Sequence, residues 1–516
     1  MTLFTSPLPD VAMRDQSITE RLFEGLALDP DRVMMIDGPT GREFTGAALM
    51  EAIARLAGGL TERGFGRGHV VALMAPNLPE YCVVFHGVVY AGGTITTLNP
   101  TYTAPEVKYQ LNDAKAELLI TIPDFLPQAI AGAEGTGVRM IAVIGGAEGH
   151  AALDDLMGAA LPAQVPVDLD RDVAVLPYSS GTTGLPKGVM LSHRNLVVNI
   201  DQTQGVAGLV RGESTVAFLP FFHIYGMNTS MNMHLACGVT LITMPRFDLA
   251  GFLGHMQKHR VRMVMAVPPV VVALTKHPMV DDYDLSALKV FLSAAAPLGA
   301  ELSEACAARL GARTVQGYGM TELSPVTHFA GEGYFRSGSA GITVPNTVCK
   351  IIDLETGATL EAGQDGELCI KGPQVMLGYL NNPEATARTV DAEGWLHTGD
   401  IAAFDADGLL FIKDRLKELI KVKGFQVAPA EVEAVLQTHP GVLDAAVIGV
   451  PDDEAGEVPM AFVVPKGEVT AEEIAVFLRG HLATYKQPRE IRFIDAVPKS
   501  ASGKILRRVL KGQVVG

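Results

Sequence analysis

The sequence predicts an α/β protein in two parts: a large N-terminal domain of helix-covered sheets with a small β unit, residues 1–416, and a small α+β C-terminal domain, residues 417–516. Three observations predict it. Short apolar runs alternate with helical patterns as far as the strand Thr314 to Gly317, which argues for parallel sheets covered by helices. From about Gly338 to Gly372 the pattern shortens to strands with turns, the mark of a smaller β unit. At DRLKELIKVKGFQVAPAEVE, residues 414 to 433, charges crowd together before a new set of strands begins. A chain of 516 residues exceeds what one core serves, and 48% hydrophobic content leaves no disordered bulk.

Leu49, Ile53, Leu56 and Leu60 recur at helical spacing. Val70 to Met74 reads as a short buried strand, and Leu78 to Tyr90 as a helix. Thr103-Ala104-Pro105-Glu106 carries a capping-box signature with proline inside the start of the next helix. Leu118 to Thr121 and Met140 to Ile144 return as strands. Further on, Thr215 to Pro220, Thr240 to Met244, Met263 to Val267 and Val290 to Ser293 continue the alternation. The apolar segment Val261 to Leu274 contains Arg262 and Pro268-Pro269, so it is a strand followed by a helix and not a transmembrane segment. In the last part, Pro429 opens a helix with Glu431 and Glu433 in its first turns, where acids complement the helix dipole. Asp444 to Val450, Met460 to Val464 and Ile491 to Ile494 are its strands.

Cys82, Cys237, Cys306, Cys349 and Cys369 are scattered, odd in number and without a Cys-x-x-Cys pair. That points to a reducing cytoplasm and against a structural zinc. The start MTLFTSPLPD lacks a basic region followed by an apolar one, so no signal peptide is expected. The net charge of −16 is uneven: residues 413 onward hold 15 Lys and Arg against 14 Asp and Glu, and the rest holds 26 against 43. A polyanionic ligand is better received near the C-terminal part, and nucleic acid is not an expected partner.

The strongest chemical signal is YSSGTTGLPKGV, residues 178 to 189. Gly181, Gly184 and Gly188 are interleaved with Ser179, Ser180, Thr182 and Thr183, and Lys187 follows Pro186. Such a loop turns backbone N–H groups and hydroxyls toward one anion, and the lysine adds a point charge. A plain surface turn has a similar composition. Here, however, apolar runs enter and leave the loop, which joins two buried strands and reads as a phosphate cradle. It is not a Walker loop, because Lys187 is followed by Gly188 and no Ser or Thr reaches a metal. Three more strings stand out. In QGYGMTE, residues 316 to 322, the glycines admit a flat ligand, Tyr318 offers a face for a base, and Glu322 is a hard oxygen donor suited to Mg²⁺. WLHTGD, ending at Asp400, sets a carboxylate after Gly399, able to accept from both hydroxyls of a ribose. PKSASGKILRR, residues 498 to 508, is rich in bases and free of acids; alone it reads as a solvated basic tail.

Together these strings closely resemble the adenylate-forming superfamily, most like the 4-coumarate:CoA ligases and related fatty-acyl-CoA ligases. The resemblance covers most of the chain. It implies a mobile C-terminal domain that pivots at Lys417 and delivers a catalytic lysine, Lys504, to the acyl oxygen and phosphate. It implies an ATP or AMP site at Ser179, Ser180, Gly181, Thr182, Thr183, Gly184, Lys187, Gln316, Gly317, Tyr318, Thr321, Asp400, Arg415 and Lys504, with Glu322 on the metal. His223 becomes a gate beside the carboxyl, where a core histidine satisfied by backbone is the plainer reading. Tyr225, Thr229, Ala294, Gly317, Pro325 and Val326 line the acyl pocket, and Lys423 and Gly424 border the coenzyme A tunnel. Met227, Met231 and Met233 fill core space.

The implied activity takes a small monocarboxylic acid, ATP and Mg²⁺ to an acyl-adenylate with release of pyrophosphate, then to a thioester of coenzyme A with release of AMP. A hydroxycinnamate is the expected acid and a medium- or long-chain fatty acid the alternative. The missing Walker serine argues against a kinase, and the joint presence of Glu322, Asp400 and Lys504 against a non-catalytic nucleotide sensor. Activation of an amino acid needs an Asp near Phe221-Phe222-His223, and none stands there. One departure touches the pocket: the coumarate ligases usually read Ser-Gly-Ala-Ala-Pro where this chain has Ser293-Ala294-Ala295-Ala296-Pro297.

Overall fold

The computed structural model describes residues 2–179, 186–296, 298–422, 425–452, 455–500 and 503–514, and it is α/β with helices laid on several sheets. The largest sheet has eight strands in the order Gly378–Tyr379, Lys187–Ser192, Val173–Ser179, Thr94–Thr97, Val70–Met74, Ala116–Thr121, Met140–Val143, Ala151–Ala152. Its middle strands run parallel, as crossover helices between successive strands require. Val70–Met74 is apolar at all five positions because it is covered on both faces. The helix Pro79–Tyr90 is buried at 11 of its 12 residues, so it lies inside the body and shows no polar stripe. Parallel order ends at the antiparallel hairpin of Val173–Ser179 with Lys187–Ser192.

A second sheet joins Met263–Ala266, Val290–Ser293 and Arg313–Gly319 in parallel, then turns antiparallel through Val326–Phe329 and Ile342–Thr343. A side chain on Gly319 would place its Cβ 2.1 Å from the Pro325 carbonyl oxygen, so this turn closes only on glycine. The expected small β unit is an antiparallel sheet of Phe4–Thr5, Val348–Ile352, Gly366–Lys371, Leu396–Phe404 and Leu410–Arg415. The C-terminal residues form another sheet, centred on Val442–Asp452 paired with Gly456–Pro465. Alternate residues of Val442–Asp452 serve opposite faces: Ala445 and Val447 join a core of residues from Ile420 onward, whereas Ala446 and Ile448 face Leu510. No helix among the described residues is long and apolar enough to cross a membrane.

One local expectation is corrected. The strand expected over Thr215 to Pro220 runs only over Ser214–Ala217. Beyond it the Asn77 amide donates to the carbonyls of Ala217 and Leu219 and accepts from the N–H of Phe221, so a side chain replaces sheet pairing. Pro429 opens the helix Pro429–Thr438 with Glu431 and Glu433 in its first turns, as expected, and Glu433 is buried there, accepts from Val447 N–H and pairs with Arg507 at 2.7 Å.

Candidate active site

Ser179 and Lys187 are register partners at the loop end of the hairpin, which brings both to one place. Ser180, Gly181, Thr182, Thr183 and Gly184 lie outside the described residues. The hydroxyl of Ser179 donates to Glu322 Oε1 at 3.1 Å, and the Tyr379 hydroxyl donates to the same oxygen at 2.7 Å. The Lys187 ammonium lies 4.0 Å from the centroid of the Tyr379 ring, a cation–π contact. Burial draws the Lys187 pKa below its ordinary value; Glu322 opposes this and the charge of Lys417 adds to it. Tyr379 is a site residue that sequence reasoning missed. A two-residue strand carries no periodicity, and only its pairing with Val189 places it here.

Strand Arg313–Gly319 ends in the short 3₁₀ turn Thr321–Leu323, which buries Thr321 and Glu322. The Tyr318 hydroxyl donates to Asp400 Oδ2 at 2.6 Å. Asp400 and Arg415 face each other across paired strands, with Arg415 Nε 3.3 Å from the carboxylate. Burial raises the Asp400 carboxyl against the pull of Arg415. Gln316 uses both ends of its amide on the backbone of Leu298, accepting from N–H at 2.9 Å and donating to C=O at 3.0 Å. It therefore fixes the segment after Ala294.

Lys504 arrives from the C-terminal part. Burial and the neighbouring Arg415 lower its pKa to about 8, against the attraction of Asp400, Glu322 and Glu418. Gly503 before it has φ +80° and fits where a Cβ would lie 3.2 Å from Val267 Cβ and 3.4 Å from Pro269 Cδ. The basic tail is not loosely solvated. Lys499 pairs with Asp444 at 2.5 Å, and Arg507 bridges Glu418 and Glu433.

Beside Lys504 opens a cavity lined by His223, Tyr225, Thr229, Ala294, Gly317, Tyr318, Thr321, Pro325 and Val326. The expected acyl-pocket residues are thus brought together. Tyr225 and Thr229 come from a π-helical stretch, Tyr225–Asn232, whose wider turn the sequence did not reveal. Gly226 makes it possible, since a Cβ there would lie 2.1 Å from the Pro220 carbonyl oxygen. Burial and Lys504 push the His223 pKa down to about 3, so the ring is neutral. The Thr229 hydroxyl is buried with no hydrogen-bond partner among the described residues. Met227, Met231 and Met233 are fully buried, as core filling requires. Lys423 and Gly424 lie outside the described residues.

A glycine-bearing hairpin, a buried carboxylate at a turn and a lysine delivered by a second unit define an enzyme that handles a nucleotide and a small organic acid in one cleft. The chain belongs to the AMP-binding enzyme family: residues 22–380 match the AMP-binding enzyme model, and residues 431–504 match the AMP-binding enzyme C-terminal domain. It is 43% identical over 528 residues to 4-coumarate--CoA ligase 2 of Petroselinum crispum, covering 99% of this chain and 97% of that protein. Among solved structures it is similar to the anthranilate CoA ligase AuaEII in complex with anthranoyl-AMP, with TM-score 0.90 at 28% identity and 98% of each chain covered. It also superposes on ATP-bound MatB from Rhodopseudomonas palustris, 30% identical, with TM-score 0.88 over 96% of this chain and 99% of that one. Against the apo form of MatB, with 96% and 98% covered, the score is 0.79 at the same 30% identity.

Proposed function

We propose that the protein is an AMP-forming acid–CoA ligase acting on a hydroxycinnamate-type acid. The single observation that carries this reading is the position of Lys504, half-buried near Asp400 and Glu322 and lining the apolar cavity that holds His223. A carboxylate is a poor electrophile and is repelled by triphosphate. Lys187 and Lys504 offset that repulsion and stabilise charge as the carboxylate oxygen forms its bond to the α-phosphorus and pyrophosphate leaves. Tyr318, Asp400 and Arg415 hold the nucleoside. A neutral His223 excludes water beside the new mixed anhydride without competing for the proton inventory of the site.

Glu322, with the hydroxyls of Ser179 and Thr321 nearby, is a set of hard oxygen donors, which fits Mg²⁺. Bound there, the ion supplies charge neutralisation at the phosphates. In the second half-reaction the thiol of coenzyme A attacks the acyl carbon and AMP departs. Lys504 and the coenzyme cannot share one approach to that carbon, so the C-terminal part turns about Lys417, and Lys423 and Gly424 then border the pantetheine.

The cavity contains no charge beyond the groups that handle the adenylate, so a second carboxylate or an amine on the acid would be buried unpaired. The lone hydroxyl of Thr229 offers a partner to one polar substituent at the far end of a flat acid, as a ring hydroxyl supplies. Release of AMP and pyrophosphate on incubation with ATP, coenzyme A and 4-coumarate tests the reading. Release of ADP, or no release with any aryl or fatty acid, overturns it. A fatty acid that outperforms every aryl acid in pyrophosphate exchange would keep the chemistry and move the substrate.

A further inference from the structure

Glu367, Cys369 and His397 bring a carboxylate oxygen, a sulfur and an imidazole nitrogen within 4.8 Å of one another, and none of the three lines the cavity described above. Sequence spacing gives no hint of it. Strand pairing does, since Cys369 and His397 are direct register partners on Gly366–Lys371 and Leu396–Phe404. Glu367 stands two residues before Cys369, across a shift of register, and so turns to the same face.

The separations are those of a coordination sphere. Cys369 Sγ is 3.5 Å and Glu367 Oε2 is 3.3 Å from His397 Nδ1. A tetrahedral zinc with a sulfur at about 2.3 Å and nitrogen and oxygen near 2.0–2.1 Å sets S to N at roughly 3.6 Å and N to O at roughly 3.3 Å. A neutral Nδ1 carries either a proton or a lone pair, so it cannot both accept from the thiol and donate to the carboxylate. A ring protonated on both nitrogens, paired with Glu367 and Asp391, is the competing arrangement, and it leaves the thiol without an acceptor on that ring. The other ring nitrogen, Nε2, lies 3.4 Å from Asp391 Oδ2, the carboxylate–histidine arrangement that orients a metal-binding imidazole. Asp391 itself is held by the N–H groups of Glu393 and Trp395, and Glu367 Oε1 by that of Gly399, so the donors are fixed. Cys369 is buried and the other two are half-buried, which leaves a path for an ion and a fourth position for water.

We propose that Glu367, Cys369 and His397 form a zinc-class metal site, with Asp391 orienting the histidine. Binding would form a sulfur–metal bond and release the thiol proton to solvent. The ion would lock Glu367, whose other oxygen fixes the turn that presents Asp400.

The test uses the full chain, stripped of metal and free of nucleotide, titrated with Co²⁺ and then Zn²⁺. The expected result is one equivalent of Co²⁺ giving thiolate-to-cobalt charge-transfer absorption, displaced by Zn²⁺, with a higher melting temperature in Zn²⁺. Cys369→Ser should lose the absorption and the thermal shift. Asp391→Asn, which keeps the turn acceptor, should weaken metal binding by about 10–100-fold. Should Cys369→Ser fold poorly, His397→Gln serves in its place, judged by the same absorption. An absent charge-transfer band, a band that persists in these variants, or a protonated His397 held between Glu367 and Asp391 with no metal taken up would overturn the site.

Discussion

The ammonium of Lys187 rests 4.0 Å from the ring centroid of Tyr379, while that ring's hydroxyl is bound 2.7 Å away to Glu322. One aromatic side chain therefore sets the distance between the cation and the carboxylate that the proposed chemistry uses. Tyr379→Phe should keep the cation–π contact and lose the hydrogen bond, costing about 1 kcal/mol of stability. Tyr379→Leu should lose both and raise the KM for ATP further than the phenylalanine does. Equal kinetics for the two variants, measured by pyrophosphate exchange, would remove Tyr379 from the site.

Lys504→Ala should reduce adenylate formation on the order of a hundredfold or more, the usual effect of losing one preorganised electrostatic group. Thioester formation from supplied acyl-adenylate should survive. If both half-reactions fall equally, Lys504 is structural.

The same lysine gives a pH dependence of two opposite signs. Its pKa in the folded chain is about 8, below the ordinary 10.5. As pH rises through about 8 the charge is lost and the adenylation rate should fall. Stability moves the other way. Between these two values the unfolded chain binds the proton and the folded chain does not, so stability gains with pH, by roughly 3 kcal/mol at most. The difference between wild type and Lys504→Ala in melting temperature from pH 7 to pH 10 isolates this contribution. A wild type that loses stability relative to the alanine variant over that range would contradict the burial of a charged lysine.

Ala294 lines the cavity beside Gly317. Ala294→Gly should widen acceptance toward bulkier and α-branched acids, by about 1–3 kcal/mol of discrimination per methylene-sized change. Exchange rates over a graded series of acids measure it. An unchanged ranking would place Ala294 away from the acyl group.

Lys417 follows Leu416, whose N–H is tied to the Gly399 carbonyl, and precedes Glu418, whose N–H bonds to Arg415. A pivot at this residue needs free φ, and proline fixes φ. Lys417→Pro should spare one half-reaction and suppress the other. Both steps intact would refute the pivot, and loss of both with a lower melting temperature would indicate misfolding.

Much of this was legible in the chain. Parallel strands announced themselves as continuous apolar runs such as Val70–Met74, because burial on both faces admits little else. The lining of the cavity was legible through family resemblance, down to Thr229 and Ala294. What stayed hidden depended on pairing between distant segments. Tyr379 reaches Glu322 only because two residues add to a sheet edge, and Cys369 meets His397 only by strand register. The π-helical turn at Tyr225 was hidden for a different reason: its departure from ordinary helix is dictated by packing of Gly226 on Pro220, not by local preference. The place of Glu433 in the helix opened by Pro429 was legible, but its ion pair was not, because the half-buried Arg507 that meets it lies 74 residues on.

Gly503 carries the chain past Val267 and Pro269 at a spacing that leaves a Cβ only 3.2 Å from the first and 3.4 Å from the second, at a φ of +80° that side chains rarely adopt. Any larger residue would meet both the crowding and the strained backbone angle and stand Lys504 off from the cleft. The reach of the lysine is set by a missing methyl group.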